Sequence, residues 1–179
     1  MAETDPTLAS VIGAQLSCGG CPLRVSGPVA IYIPLHMRPP LSLLVFDHPY
    51  SDTVTPADDP RRHSLLALVP ELARFAVTYI ASCWTDPGLP IPERSVDACQ
   101  RHRAAELASL HPPIIVTVGE QACFSYTGHL LEQAAGQVWQ HVSGALVVPL
   151  ATSDKCTSVE VGPIRQLCQG SPQVSYDLL

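Results

Sequence analysis

Apolar residues along this chain fall in short runs separated by stretches of helical spacing, and the two alternate. Leu41-Ser42-Leu43-Leu44-Val45-Phe46 is an apolar run that ends at Asp47-His48-Pro49-Tyr50, the pattern of a central parallel strand buried on both faces. Phe75-Ala76-Val77-Thr78-Tyr79-Ile80-Ala81, Ile114-Ile115-Val116-Thr117-Val118 and Ala145-Leu146-Val147-Val148-Pro149-Leu150 repeat it, and Val29 to Ile33 is a shorter extended run. Between them, helical spacing predicts helices from Thr7 to Gln15, from Ser64 to Leu72 with a break at Pro70, from Glu93 to Leu110, and from Glu120 to about Gln133. Strands that alternate with helices in this way build an open, mainly parallel α/β sheet with right-handed crossovers. Ligands of such sheets bind beyond the carboxyl ends of the strands. Asp47 to Tyr50, Tyr79 to Cys83, Gly119 and Ala151 to Asp154 should therefore share one rim. After Ala151 the chain is polar and weakly patterned.

Composition narrows the setting. The 179 residues are 46% hydrophobic and 15% charged, enough for one domain with a sizeable core. The net charge of -6, with Lys155 the single lysine, disfavours a broad phosphate-binding surface and points to a protein partner or a small local contact. No segment offers the roughly 20 apolar residues of a membrane span, and Met1 to Pro6 has neither the basic nor the apolar region of a secretory leader, so a soluble, cytoplasmic protein is expected. Seven cysteines, an odd number, then read as metal ligands and packed thiols in a reducing compartment.

Four of them carry the chemistry. Cys18-Gly19-Gly20-Cys21-Pro22-Leu23 has two glycines that allow both thiolates to turn toward one metal centre. Cys83 ends the second core strand, and Cys99 lies on the next helix. Spacing alone does not separate an iron-sulfur cluster from tetrahedral zinc on the same four sulfurs. Cys123, Cys156 and Cys168 have no partner pattern and read as packing residues. Arg61-Arg62-His63 and Arg101-His102-Arg103 read as a solvated helix face or a helix start rather than as phosphate contacts. His36, His111 and His129 lack ligand spacing, and there is no Ser-His-Asp set, Walker loop or His-Glu-x-x-His element.

These cysteines, with His111-Pro112-Pro113-Ile114-Ile115-Val116-Thr117-Val118-Gly119-Glu120-Gln121-Ala122, resemble the iron-sulfur uracil-DNA glycosylases, the family 4 and family 5 branch of that superfamily. The resemblance spans roughly residues 16 to 150. It implies a single uracil-DNA glycosylase-like domain over residues 1–179, with a divergent part from 151 to 179. The implied fold is a three-layer α/β/α sandwich around a four-stranded, mainly parallel sheet. It also implies a [4Fe-4S] cluster on Cys18, Cys21, Cys83 and Cys99, largely structural, with zinc as the alternative.

The catalytic motifs depart from that family. Where its first motif reads Gly-Glu-Ala-Pro-Gly, this chain has Phe46-Asp47-His48-Pro49-Tyr50. Asp47 and Tyr50 are the candidate catalytic residues, the one to position water and the other to stack on a flipped base, and His48 is a candidate substrate contact. Tyr79 stands where the family reads the base with an asparagine, and a phenol cannot offer the donor-acceptor pair of an amide. Thr152 is nearest in register to the family's histidine of His-Pro-Ser, which stabilises the departing uracil oxygen. The resemblance therefore implies a scaffold that has lost efficient base excision and serves as a binding or regulatory module. Its partner would be a protein, for instance a DNA or RNA polymerase or another nucleic-acid enzyme, with contact to DNA also open. The alternative is an active, divergent DNA glycosylase that excises uracil or another damaged base.

Overall fold

A computed structural model describes residues 7–19, 21, 23, 30–35, 37–85, 89, 91–151 and 160–170. Thr152, Cys156 and His36 lie outside the described residues, as does Val29 at the head of the expected extended run. The elements are α1 (Leu8–Leu16), β1 (Leu43–Phe46), α2 (Pro60–Leu68), a 3₁₀ turn (Pro70–Arg74), β2 (Ala76–Tyr79), α3 (Glu93–Leu110), β3 (Ile114–Val118), α4 (Glu120–Thr127), α5 (Leu131–Ala134), β4 (Trp139–Gln140), β5 (Leu146–Leu150) and α6 (Gly162–Gly170). No helix among the described residues is long and apolar enough to cross a membrane.

The sheet runs β2-β1-β3-β5-β4. Its first four strands are parallel, and β4 pairs antiparallel with β5. The sheet is thus five-stranded and mixed rather than four-stranded. The extra member is the two-residue β4, too short to leave an apolar run in the sequence. Tyr32 adds one antiparallel bridge to Val77 on β2. Alternate residues of the strands feed two cores on opposite faces of the sheet. Leu44, Phe46, Val77, Tyr79, Val116 and Val148 face α2 and α6, where Leu65 and Ile164 are buried. Leu43, Val45, Ala76, Ile115 and Val147 face α1, α3 and α4, where Leu110 and Tyr126 are buried.

Local chemistry sets the breaks. Pro70 cannot continue α2, so the chain tightens there into the 3₁₀ turn. The single helix expected after Gly119 is divided at Gly128, a left-handed C-cap with φ of 73°. In the weakly patterned region past residue 151, α6 buries Ile164 against the core. Because β1 has β2 on one side and β3 on the other, the crossovers leave it in opposite directions. A crevice is expected at that switch, beyond the carboxyl ends of β1 and β3.

Candidate functional site

The four sequence-selected cysteines come together beside the end of β2. Ile80, Ala81 and Ser82 continue β2 as buried backbone, with Ile80 N–H donating to the Phe46 carbonyl (2.8 Å) and Ala81 N–H to that of Asp47 (3.0 Å). This delivers Cys83 to the corner at 6% exposure. Cys99 sits on the inward stripe of α3, formed by Ser95, Cys99, His102, Glu106 and Leu110 at helical spacing. Arg103 fixes that helix against the strand end by donating from Nη1 to the carbonyls of Ile80 (2.7 Å) and Val96 (3.1 Å). From the other side, α1 packs on α3 and ends at Ser17, so that Cys18 and Cys21 arrive half-buried.

Donors surround the sulfurs. The Cys21 thiol lies 3.7 Å from Ser95 Oγ and accepts from Leu23 N–H at 3.3 Å, and Arg101 Nη2 is 3.6 Å from Cys18 Sγ. Cys99 takes a hydrogen bond from the Ser82 backbone. The Cys83 thiol is pushed up to about 12 by burial first, and then by the sulfurs of Cys21, Cys99 and Cys18, so all four thiols share one electrostatic neighbourhood. Burial likewise raises Cys99. Among the described residues, no three His, Cys, Asp or Glu side chains are drawn tightly enough onto one point to hold a single metal ion.

The switch point between β1 and β3, where a crevice is expected, is built differently. Asp47, at the end of β1, points its Oδ1 at the start of α4 and accepts from Ala122 N–H at 2.7 Å, with a further backbone bond from Gln121. It serves as a helix N-cap supplied from another strand, in the position where a negative charge is favoured. Gly119 itself has no side chain to cap α4; with φ of 106°, a Cβ there would run into the Asp47 carboxylate. Burial raises the Asp47 carboxyl above the ordinary range, against the lowering effect of those backbone bonds and of His48 and Arg61. His48 turns its Nδ1 to the Pro49 carbonyl at 2.7 Å.

Next to Asp47 the space is occupied by a polar plug. Phe46 and Tyr79 are fully buried with ring centroids 6.2 Å apart. The Arg61 guanidinium lies 4.6 Å from the Phe46 ring and 5.7 Å from that of Tyr50, which is half-exposed. Arg61 grips both oxygens of the wholly buried Asp59 (Nε to Oδ1 3.0 Å, Nη2 to Oδ2 2.7 Å) and donates to the His48 carbonyl at 2.7 Å. Tyr79 Oη donates to Asp59 Oδ2 at 3.4 Å, and burial pushes its hydroxyl well above the ordinary phenol range.

The structure thus gathers Cys18, Cys21, Cys83 and Cys99 in one corner and Asp47, His48, Tyr50 and Tyr79 around the neighbouring crevice. The helix-start reading holds for Arg61 and Arg62, which lie in the first turn of α2. Arg62 is not solvated, however: it is 7% exposed, donates to the Ala57 carbonyl at 3.1 Å and lies over the Tyr32 ring. In the second cluster, Arg101 is exposed, but His102 is buried and Arg103 is tied to backbone. Asp59 was missed outright. Its signal was available in Asp59-Pro60, an N-cap aspartate before a proline at the first helical position. Cys123 is buried within α4, and Cys168 is half-buried on α6, as packing residues would be. Compared with known proteins, the chain matches no family model and none of the curated sequences.

Proposed function

We propose that this protein is a uracil-DNA glycosylase-like iron-sulfur protein whose base-excision site is closed, and that it acts as a binding or regulatory module for a nucleic-acid enzyme such as a polymerase. The observation that carries the reading is the plug of Phe46, Arg61, Asp59 and Tyr79 beside the capped Asp47. A glycosylase must admit a flipped base and read its edge. Here the Phe46 and Tyr79 rings are buried, the Asp47 Oδ1 is engaged by α4, and the Arg61 guanidinium packs against both Phe46 and the half-exposed Tyr50.

The donor set fits a [4Fe-4S] cluster held by Cys18, Cys21, Cys83 and Cys99. Four thiols share one corner, and amide, hydroxyl and guanidinium groups hydrogen-bond to the sulfurs. Zinc would need all four sulfurs at about 2.3 Å from one point. Zinc on the same four sulfurs is the alternative occupant. When bound, the cluster would supply a rigid inorganic joint between the N-terminal segment, the end of β2 and α3.

A protein partner is favoured over bare nucleic acid by the use of the arginines. Arg61, Arg62, Arg103 and Arg165 all donate to carbonyls or carboxylates within the fold, and the net charge is -6. The direct test is to load the protein with iron and sulfide and incubate it with single- and double-stranded uracil-containing oligonucleotides, followed by alkaline cleavage. A brown protein that leaves both oligonucleotides intact is expected. Strand breaks that disappear in Asp47→Ala would overturn the closed-site reading in favour of an active glycosylase. A colourless protein that takes up zinc instead would overturn the cluster.

A further inference from the structure

One buried carboxyl belongs to neither the sulfur corner nor the crevice. Glu106 is 1% exposed on the inward stripe of α3. Its Oε1 accepts from Gln15 Nε2 and from Thr78 Oγ1, the latter at 2.7 Å. Gln15, in turn, accepts at its Oε1 from Ile31 N–H at 3.0 Å. The charged or titratable neighbours of Glu106 are Arg103 on α3 and Tyr126 on α4, while the facing residues from α1 and β2 are the neutral Gln15 and Thr78. Among the described residues, Glu106 Oε2 and the Tyr126 hydroxyl have no hydrogen-bond partner.

Each link leads to a different cysteine. Gln15 lies three positions before Cys18, and its bond to Ile31 closes the base of the loop that carries Cys18 and Cys21. Thr78, on β2, lies five positions before Cys83. Glu106 is seven positions beyond Cys99, two turns along one face of α3. The three segments that supply sulfur therefore meet a second time, at a single carboxylate.

We propose that Glu106 is the positioning residue of the four-cysteine site, clasping its three segments through Gln15 and Thr78 so that the sulfurs are assembled before a metal arrives. The inference rests on the sulfur-site reading above. A ligand set drawn from distant stretches must otherwise be ordered at the moment of binding, and a clasp made by the protein alone removes that ordering cost from the metal.

The test begins with metal-free protein treated with dibromobimane, which bridges only thiols that already lie close together, with the bridged peptides identified by mass spectrometry. Wild type should give a Cys21–Cys83 bridge. Glu106→Ala should lose most of it and, once loaded with iron and sulfide, release iron to a chelator about 10- to 100-fold faster. Glu106→Gln keeps an acceptor for Gln15 and Thr78 and should behave as wild type, a rescue that simple cavity formation does not predict. Should Glu106→Ala not fold, Gln15→Ala cuts only the link to α1 and should reproduce the loss with an unchanged circular dichroism spectrum. Bridging and iron retention at wild-type levels in folded Glu106→Ala or Gln15→Ala would overturn the clasp. Failure of wild type to form the bridge would overturn clasp and sulfur site together, whereas a wild type that forms the bridge yet holds no iron would remove the cluster and leave the clasp standing.

Discussion

The sulfur corner and the strand-end crevice lie beyond the ends of adjacent strands, β2 and β1, and they treat their polar groups in opposite ways. In the crevice every ionic group already has an internal partner: Asp47 the amides of α4, Asp59 the guanidinium of Arg61, and Arg61 the His48 carbonyl as well. In the corner the Cys83 and Cys99 thiols are raised by burial first and then by the neighbouring sulfurs. A region whose charges are internally satisfied is a finished piece of structure, whereas one whose donors crowd together is suited to an external cation. On the proposed reading, the sulfurs rather than the strand-end crevice are where an external ligand would bind.

The largest effect that could break this contrast is at Cys83. Replacing Cys83 or Cys99 with alanine should abolish cluster assembly, read as loss of the visible absorption and of protein-bound iron after reconstitution. Retention of a full complement of iron in Cys83→Ala would move the metal elsewhere. At the crevice, Arg61→Ala leaves the buried Asp59 carboxylate without its cation, and a loss of about 3–5 kcal/mol is expected in urea unfolding. A change under 1 kcal/mol there would mean that the plug is incidental. Gly119→Ala forces an alanine to the strained φ of 106° and against Asp47, which should cost roughly 3 kcal/mol by the same measurement.

The smallest effect sharpens the comparison through pH. Glu106 is pushed up to about 7, by burial first, against the lowering effect of its bonds from Thr78 and Gln15 and the charge of Arg103. The folded chain therefore holds this proton after the unfolded chain has released it, and stability falls as pH rises from about 4.5 to about 7. The contribution lost is up to roughly 2–3 kcal/mol, and Glu106→Gln should flatten that part of the curve measured by denaturant titration at successive pH values. An unchanged curve in Glu106→Gln would assign the pH dependence to another group.

Much of this organisation could be read from the chain. The four main strands stood out because β1, β2, β3 and β5 are covered on both faces and so need unbroken apolar runs. Cys18, Cys21, Cys83 and Cys99 were legible because two glycines and a strand end frame them. Partnerships across the fold were not. Arg61 could be read as helix face or helix start, but nothing local shows that the His48 carbonyl comes to meet it. Nothing in the sequence singles out Glu106, since its partners Gln15 and Thr78 lie 91 and 28 residues away. Asp47 could be placed at a strand end, but its capture by α4 depends on the sheet bringing β1 beside β3. Hydrophobic period carries the layers of such a molecule; the pairing of buried polar groups emerges only once the layers are stacked.

The single bridge from Tyr32 to Val77 reaches beyond its own segment. A sheet margin with a long row of free amides and carbonyls is a template on which stray chains polymerise. At one margin Tyr32 takes up the middle of β2, and at the other β4 extends for only two residues, with Trp139 held against the His129 ring at 4.1 Å. Neither border offers an incoming strand much length to zip onto. Such blunted borders suit a protein whose core strands are apolar enough to aggregate if they were laid bare.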